Sequence, residues 1–244
     1  MNGSLLARED IDAATQTTMH RLLARHFFGV GEDQFEADLA DKTHVVLLER
    51  SPGELVGFST FAFERIEYCG KPLDVVTSGD TIMDPAAWQS SVLSRTWIEA
   101  VLGLHREHGV GRLVWLLITS GFRTYRFLPV FWKTFYPRFD ATTPVQTQTM
   151  IRALAYRRYG DRFDACSGVV RFDRPQVLRP HLAGIPARKR LDPHVAFFDR
   201  ANPRHIDGDE LVCLTEITQA NLTSAGRRMV RTGRRAAPEP AGAN

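Results

Sequence analysis

The chain has 244 residues, 43% of them hydrophobic and 24% charged, with a formal net charge of +3. That is enough chain for one large domain or two small ones, and the composition is that of an ordinary globular protein. Much of the basic excess lies between Arg227 and Arg235, so the folded part is close to neutral and argues against a nucleic-acid partner.

Residues 1–42 read as helical. Asp12 is placed to cap a helix through AATQTTMHRLLARHFF, in which Met19, Leu22, Leu23 and Phe27 recur at helical spacing. Gly29 and Gly31 break it, and Glu32 to Leu39 reads as a second short helix. His20 and His26 are six residues apart and do not share a helical face, so they are packing or surface residues rather than a metal pair. A meander follows. THVVLLERS is a strand, Ser51-Pro52-Gly53-Glu54 is turn chemistry, and LVGFSTFAFERIEY is a second strand with aromatics on both faces, as expected of a strand covered on both sides. Tyr68 to Pro72 makes the next turn and LDVVTSGDTIM the third strand. Short turns make these three antiparallel.

After Asp84-Pro85 and a polar Gln89-Ser90-Ser91, a long amphipathic helix carries Leu93, Trp97, Val101 and Leu104 on one stripe. A strand that feeds a helix through a short polar turn gathers free backbone N–H groups and the positive end of a helix dipole beside a strand end, which suits an anion. Beyond Gly109 and Gly111, RLVWLLITS is a near-continuous apolar run, predicted to be a central strand parallel to the one before the helix. FRTYRFLPVFWKTFYPRFD is dense in aromatics and is read as helical around Pro129. TPVQTQTMIRALAYRRYGDRF is a further helix, VVRF a short strand, Leu178 to Leu191 an irregular loop, Pro193 to Ala201 a short helix and ELVCLTEIT a last strand. From Ala225 the Arg-, Ala-, Pro- and Gly-rich tail is expected to be disordered.

Cys69, Cys166 and Cys213 are odd in number and far apart, with no CxxC pair or Cys/His ligand cluster. They indicate neither a disulfide framework nor a structural zinc site, and a cytoplasmic protein is expected. The first sixteen residues have no cationic start followed by an apolar run, and no apolar stretch has membrane-spanning length. Cys166, next to Ser167-Gly168, with His194 and His205 downstream, offers no local signature of a cysteine hydrolase.

An antiparallel meander, a strand–turn–helix, a central parallel strand and an aromatic helix resemble the chain order of the GNAT N-acetyltransferase superfamily. LVGFSTFAF is similar to its third strand, VTSGDTIMDPAAWQSSVLSRTWIEAVL to its acyl-CoA-binding strand, loop and helix, and VWLLITSGFRTYRFLPVFWKTFYPRF to the segment that follows. The resemblance covers residues 43–139. It implies an α/β (α+β) fold with a mixed, mostly antiparallel central sheet flanked by helices. One domain is expected over residues 1–224, with a core at about 43–140, a C-terminal extension at 141–224 and a disordered tail at 225–244.

The resemblance also implies acetyl-CoA or acyl-CoA as co-substrate, without a metal, and transfer of the acyl group to an amine of a small molecule. It places Thr81, Ile82 and Met83 in the pantetheine cradle opposite Ile118, Thr119 and Ser120, and the pyrophosphate at Trp88, Gln89, Ser90 and Ser91. This turn has no glycine where the family usually has several, so close backbone approach to a phosphate is not built in. The degenerate turn leaves two alternatives: an acyl carrier protein or long-chain donor, with Phe122 to Phe139 lining an acyl tunnel, or a fold kept as a non-catalytic binding module. Homodimerisation is left open, and neither nucleic acid nor membrane is expected as a partner. Asp80, mid-strand among apolar neighbours, is the candidate general base, with a raised pKa expected from desolvation; Glu64 and Glu67 come next. The alternative for Asp80 is a turn cap or a partner for Arg123 or Arg126. Where the family often has a Tyr as general acid this chain has Trp132, which is not an acid, so Tyr125 and Tyr136 on either side are the candidates. Arg188-Lys189-Arg190 is either a solvated loop or a contact for an adenosine phosphate or an acidic carrier.

Overall fold

The computed structural model describes residues 1–231. Its first element corrects the helical reading of the N-terminus: Asn2–Ala7 is a strand, β1. Alone it is too short for its periodicity to register. It exists by pairing antiparallel along its whole length with β2, His44–Glu49. Helix α1 spans Ala13–His26, and Asp12 caps it as expected, accepting from the Thr15 amide at 2.7 Å. Helix α2 spans Glu32–Ala40. Strands β3 (Leu55–Tyr68) and β4 (Lys71–Met83) form a long antiparallel hairpin. Its two-residue loop holds Cys69 and Gly70, both at positive φ (52° and 72°), the backbone that suits the twist of a tight hairpin.

Helix α3, Val92–His108, crosses to β5, Arg112–Thr119, which pairs parallel with β4 as predicted. The aromatic segment is not one helix. It makes two short turns, α4 (Phe122–Tyr125) and α5 (Phe127–Phe131), then runs extended through Trp132 to Tyr136. Helix α6 spans Val145–Tyr159, strands β6 and β7 are the short pairs Phe163–Asp164 and Val169–Val170, and α7 spans Pro193–Ala201. The expected loop at 178–191 contains helical turns at Pro180–Ala183 and Ala187–Arg190. Strand β8, Glu210–Glu216, returns antiparallel to β5.

The expectation of disorder from Ala225 fails over the described residues of that segment. Helix α8, Ser224–Arg231, packs Ala225, Met229 and Val230 on the core, and the Thr223 hydroxyl accepts from the Gly226 amide at 3.1 Å. The rest of that tail, residues 232–244, lies outside the described residues.

Eight of the strands among the described residues form one sheet in the order β1-β2-β3-β4-β5-β8-β7-β6, antiparallel except at β4–β5, and Phe27–Phe28 pairs separately with Val177–Leu178. It is a mixed α/β fold with a mostly antiparallel central sheet flanked by helices, as expected. One face carries α3, with its Trp97, and α4, α5, α7 and α8 over Trp115, Leu117 and Cys213. The other face has two separate covers. Helices α1 and α2 bury Met19, Leu23 and Phe35 against Val45, Leu47 and Phe58, and α6 buries Ile151, Leu154 and Ala155 against Val75, Leu116 and Val212. That split leaves a channel over the middle of β4 and β5.

Candidate functional site: the parting of the two parallel strands

Strands β4 and β5 pair from Leu73↔Arg112 to Thr77↔Leu116 and no further. Beyond that point β4 stays with β3 on its other side, through Ser59↔Thr81 and on to Gly57↔Met83. The cause is a β-bulge. The β3–β4 register shifts between Ser59 and Phe61, so Gly79 and Asp80 together oppose Thr60, whose hydroxyl lies 3.5 Å from the Asp80 carbonyl oxygen. A bulge adds one residue to one strand, bends it and increases its twist, and here it swings the end of β4 away from β5. It also resets the alternation of side chains. Ser78 lies on the α3 face, where its hydroxyl accepts from the Trp115 indole at 2.6 Å, and Ile82 lies on the α1/α2 face. Gly79 is where it is because a Cβ there would lie 2.2 Å from Thr60 Oγ1 and 2.3 Å from Lys42 Cε.

Asp80 is delivered by the bulge to a group of charged side chains that sequence reasoning did not connect. Burial, and next the negative charge of Asp38, push its carboxyl up to about 6, while Lys42 and a hydrogen bond with Gln176 favour the ionised form. The raised value agrees with the expectation for a desolvated carboxyl. Glu210, the first residue of β8, is pushed up to about 8 by burial and then by Asp80 and Asp38. The cluster is braced: Gln34 donates to Asp38 at 2.9 Å, Gln176 to the same carboxylate at 3.4 Å, and Lys42 Nζ to the Asp38 carbonyl at 2.8 Å. Asp38, Gln176 and Glu210 come from three distant segments. The one local trace in the sequence is the four-residue spacing of Asp38, on α2, and Lys42, just past its end.

On the same face, directly under the point where the strands part, lies a cavity of about 290 Å³ between the sheet and α6. Its floor is Ile66, Val75, Thr77, Leu116 and Leu154, and Glu64, Arg157 and Arg158 line its rim. On the α3 side the gap is tight, holding about 30 Å³ among Ser59, Ser78, Thr81, Trp97, Trp115 and Phe127. The Trp115 ring closes it, with ring centroids 4.4 Å from Trp97 and 5.1 Å from Trp132.

Thr81, Ile82 and Met83 line one limb of the parting and Thr119 and Ser120 end the other. Thr119 Oγ1 is spent on its own turn, accepting from the Gly121 amide at 3.0 Å. The turn into α3 is tied to the strand: the Trp88 indole donates to the Met83 carbonyl at 2.9 Å, and the Arg123 guanidinium stacks over the Trp88 ring at 4.2 Å. Gln89 and Ser91 are exposed and Ser90 is partly so. Ser91 is the N-cap of α3, yet its side chain caps nothing; the Ser90 hydroxyl accepts from the Val92 amide at 3.2 Å. The first turn of this seventeen-residue helix thus has no side-chain cap from Ser91.

The two tyrosines are not brought to this gap. Tyr125 is fully buried among Phe135, Phe197 and Phe198, and its hydroxyl donates to the Pro137 carbonyl at 3.0 Å. Burial raises its pKa well above the ordinary phenol value. Tyr136 bridges Leu214, on the side of β8 away from β5. The expectation of a continuous helix carrying both fails because the chain turns extended at Trp132. Glu64 is at the cavity rim and Glu67 is exposed. Arg126 pairs with Asp192 at 3.0 Å, so neither it nor Arg123 is the partner of Asp80. Cys69, Cys166 and Cys213 are free thiols, and the described residues contain no group of His, Cys, Asp and Glu arranged to hold a metal ion. No helix among the described residues is long and apolar enough to cross a membrane.

No family model matches the sequence, and no curated protein matches it. Solved structures similar to the chain include a probable N-acyltransferase of Enterococcus faecalis, at 13% identity and a TM-score of 0.40, over 55% of this chain and 33% of that one. A GNAT family N-acetyltransferase of Escherichia coli in complex with CoA is 15% identical over 52% of this chain and 68% of that one, with a TM-score of 0.39. An acyl-CoA N-acyltransferase of Pseudomonas aeruginosa is 11% identical over 59% of this chain and 92% of that one, with a TM-score of 0.37. The chain thus spans a third of the length of the Enterococcus protein.

Proposed function

We propose that the chain is an acyltransferase that takes an acyl group from acyl-CoA and passes it to an amine of a small molecule. The observation that carries this reading is the bulge at Gly79-Asp80, which opens β4 from β5 and sets a carboxyl of raised pKa beside the opening. The limb from Thr81 to Met83, unpaired on its β5 side, supplies backbone donors and acceptors for a pantetheine amide chain, in the manner of an added strand. The α3 first turn, with Gln89, Ser90 and Ser91, supplies amides and hydroxyls for the pyrophosphate. In the transfer, the amine nitrogen bonds to the thioester carbon, the carbon–sulfur bond breaks, and the nitrogen loses one proton while the departing sulfur gains one. Asp80 receives the proton from nitrogen; a pKa of about 6 keeps it mostly ionised at neutral pH yet basic enough to act. Tyr125 is held in the core and Tyr136 lies on the far side of β8, so neither protonates sulfur, which leaves as thiolate and takes its proton from water.

Isothermal titration with CoA and acetyl-CoA tests the donor. Binding in the micromolar range is expected, and no binding at millimolar ligand overturns the CoA reading. The narrow α3 side of the gap, closed by Trp115, favours a second reading in which the donor is a carrier protein or the fold binds without catalysis. Turnover of short and long acyl thioesters on CoA and on a carrier protein separates these.

A further inference from the structure

We infer that the acceptor is a small amino carboxylic acid, its carboxylate held by Arg157 at the cavity rim and its amine set against Thr77 where the strands part. This rests on the acyltransferase reading of the same gap. The cavity, about 290 Å³, is at the lower end of the range for small-molecule sites. Thr77 and Leu116 are the last paired residues of β4 and β5 and both belong to its floor, so the cavity opens where the transfer would occur.

Two side chains there have unfilled capacity. Thr77 is 1% exposed and its hydroxyl has no hydrogen-bond partner, which is rare for a buried polar atom and is relieved by a polar group of a ligand. Arg157 reaches only Glu64, at 4.0 Å, the outer limit of an ion pair, whereas its neighbour Arg158 is committed to Asp41. Between these two points the floor is apolar: Ile66, Val75, Leu116 and Leu154. Glu64 pairs with Val75 in the sheet, so Arg157 sits at a level two residues before Thr77, about 7 Å along the strand. The charges order the ligand. Two arginines against the single carboxylate of Glu64 stand at one end, and beyond Thr77 the strand leads to Asp80, near Asp38 and Glu210. An acid with an amine about 7 Å away and an apolar body between them complements all three features.

The test is a ligand-observed NMR titration of the full chain, without CoA, using ε-aminocaproate and its truncated relatives hexylamine and caproate. ε-Aminocaproate is expected to bind, with each relative at least tenfold weaker. Arg157→Ala, an exposed change that spares the core, is expected to weaken it roughly ten- to a hundredfold, the loss of one charge-assisted contact, and to leave CoA binding unchanged. Thr77→Val is expected to weaken ε-aminocaproate and hexylamine alike and to spare caproate. Equal binding of hexylamine and ε-aminocaproate, no binding of ε-aminocaproate, or an unchanged affinity in Arg157→Ala overturns the inference. Calorimetry with CoA keeps the two readings apart. Binding of ε-aminocaproate without CoA leaves this pocket standing and sinks acyl transfer from CoA; binding of CoA without ε-aminocaproate does the reverse.

Discussion

Replacing Asp80 by Asn separates what the fold needs from what the site needs. The folded protein raises this carboxyl from 3.8 to about 6, so between about pH 4 and pH 6 the native state holds a proton that the unfolded chain has released. Stability then falls as pH rises through that window and stays lower above it. At about 1.4 kcal/mol per pH unit, the shift sets the native state back by about 3 kcal/mol at neutral pH, an upper figure because the side chain is partly open to water. Asparagine carries no charge to desolvate, and it relieves Glu210 and Asp38 of a negative neighbour. Urea unfolding at about pH 7.5 is therefore expected to show Asp80→Asn more stable than the parent by about 2 kcal/mol, with an unchanged denaturant slope, and the gain is expected to vanish near pH 4. The same substitution removes the proposed base, and acyl transfer is expected to fall by about a hundredfold or more. A stability difference that is the same at both pH values, or a loss of stability at neutral pH, refutes the desolvation argument, whatever the activity does.

Ser91→Asp puts a carboxylate on the uncapped first turn of α3; it is expected to raise stability by about 1 kcal/mol in thermal melts and to cost at least tenfold in CoA affinity, since it competes for the amides proposed to hold the pyrophosphate. Asp74 is fully buried, and although burial raises its pKa, the Val110 and Gly111 amides and Arg65 hold it below the usual carboxylate value. Its contribution is thus present above the unfolded pKa and lost as pH falls through the folded one; Asp74→Ala is expected to cost about 3 kcal/mol at neutral pH in urea unfolding, and less in acid. Gly79→Ala drives a methyl group into Thr60 and Lys42, so thermal melts are expected to show a loss of about 1–3 kcal/mol, with activity falling further because Asp80 is displaced.

Much of the sheet was legible because its strands carry their own pattern. The aromatic, β-branched run of β3 and the apolar run of β5 mark strands covered on both faces, and the seventeen-residue helix between β4 and β5 requires a crossover and hence a parallel pair. Elements that exist by docking were not legible. Strand β1 is six residues that hold only against β2, and α8 is an arginine-rich segment whose Ala225, Met229 and Val230 matter only once α3 and α5 are beneath them. The extended run from Trp132 to Tyr136 belongs to the same class: nothing local distinguishes it from a helix, and it is set by pairing with Leu214.

The site divides along the same line. Asp80 could be named from its own strand, because a carboxyl among apolar residues is a local anomaly. Its orientation could not, since strict alternation from Ser78 puts Asp80 on the α3 face, and only the extra residue of the bulge turns it towards Asp38 and Lys42. That residue also breaks the β4–β5 ladder at Thr77, so one insertion both opens the gap and aims the acid. The consequence can be followed to the cavity. Thr77 keeps its place on the α6 face because it precedes the bulge, and its hydroxyl lies where a ladder ends and no donor follows. An unbulged β4 would carry Asp80 on the face of Trp115 and Ser78 and continue its ladder with β5 past Thr77, closing the gap.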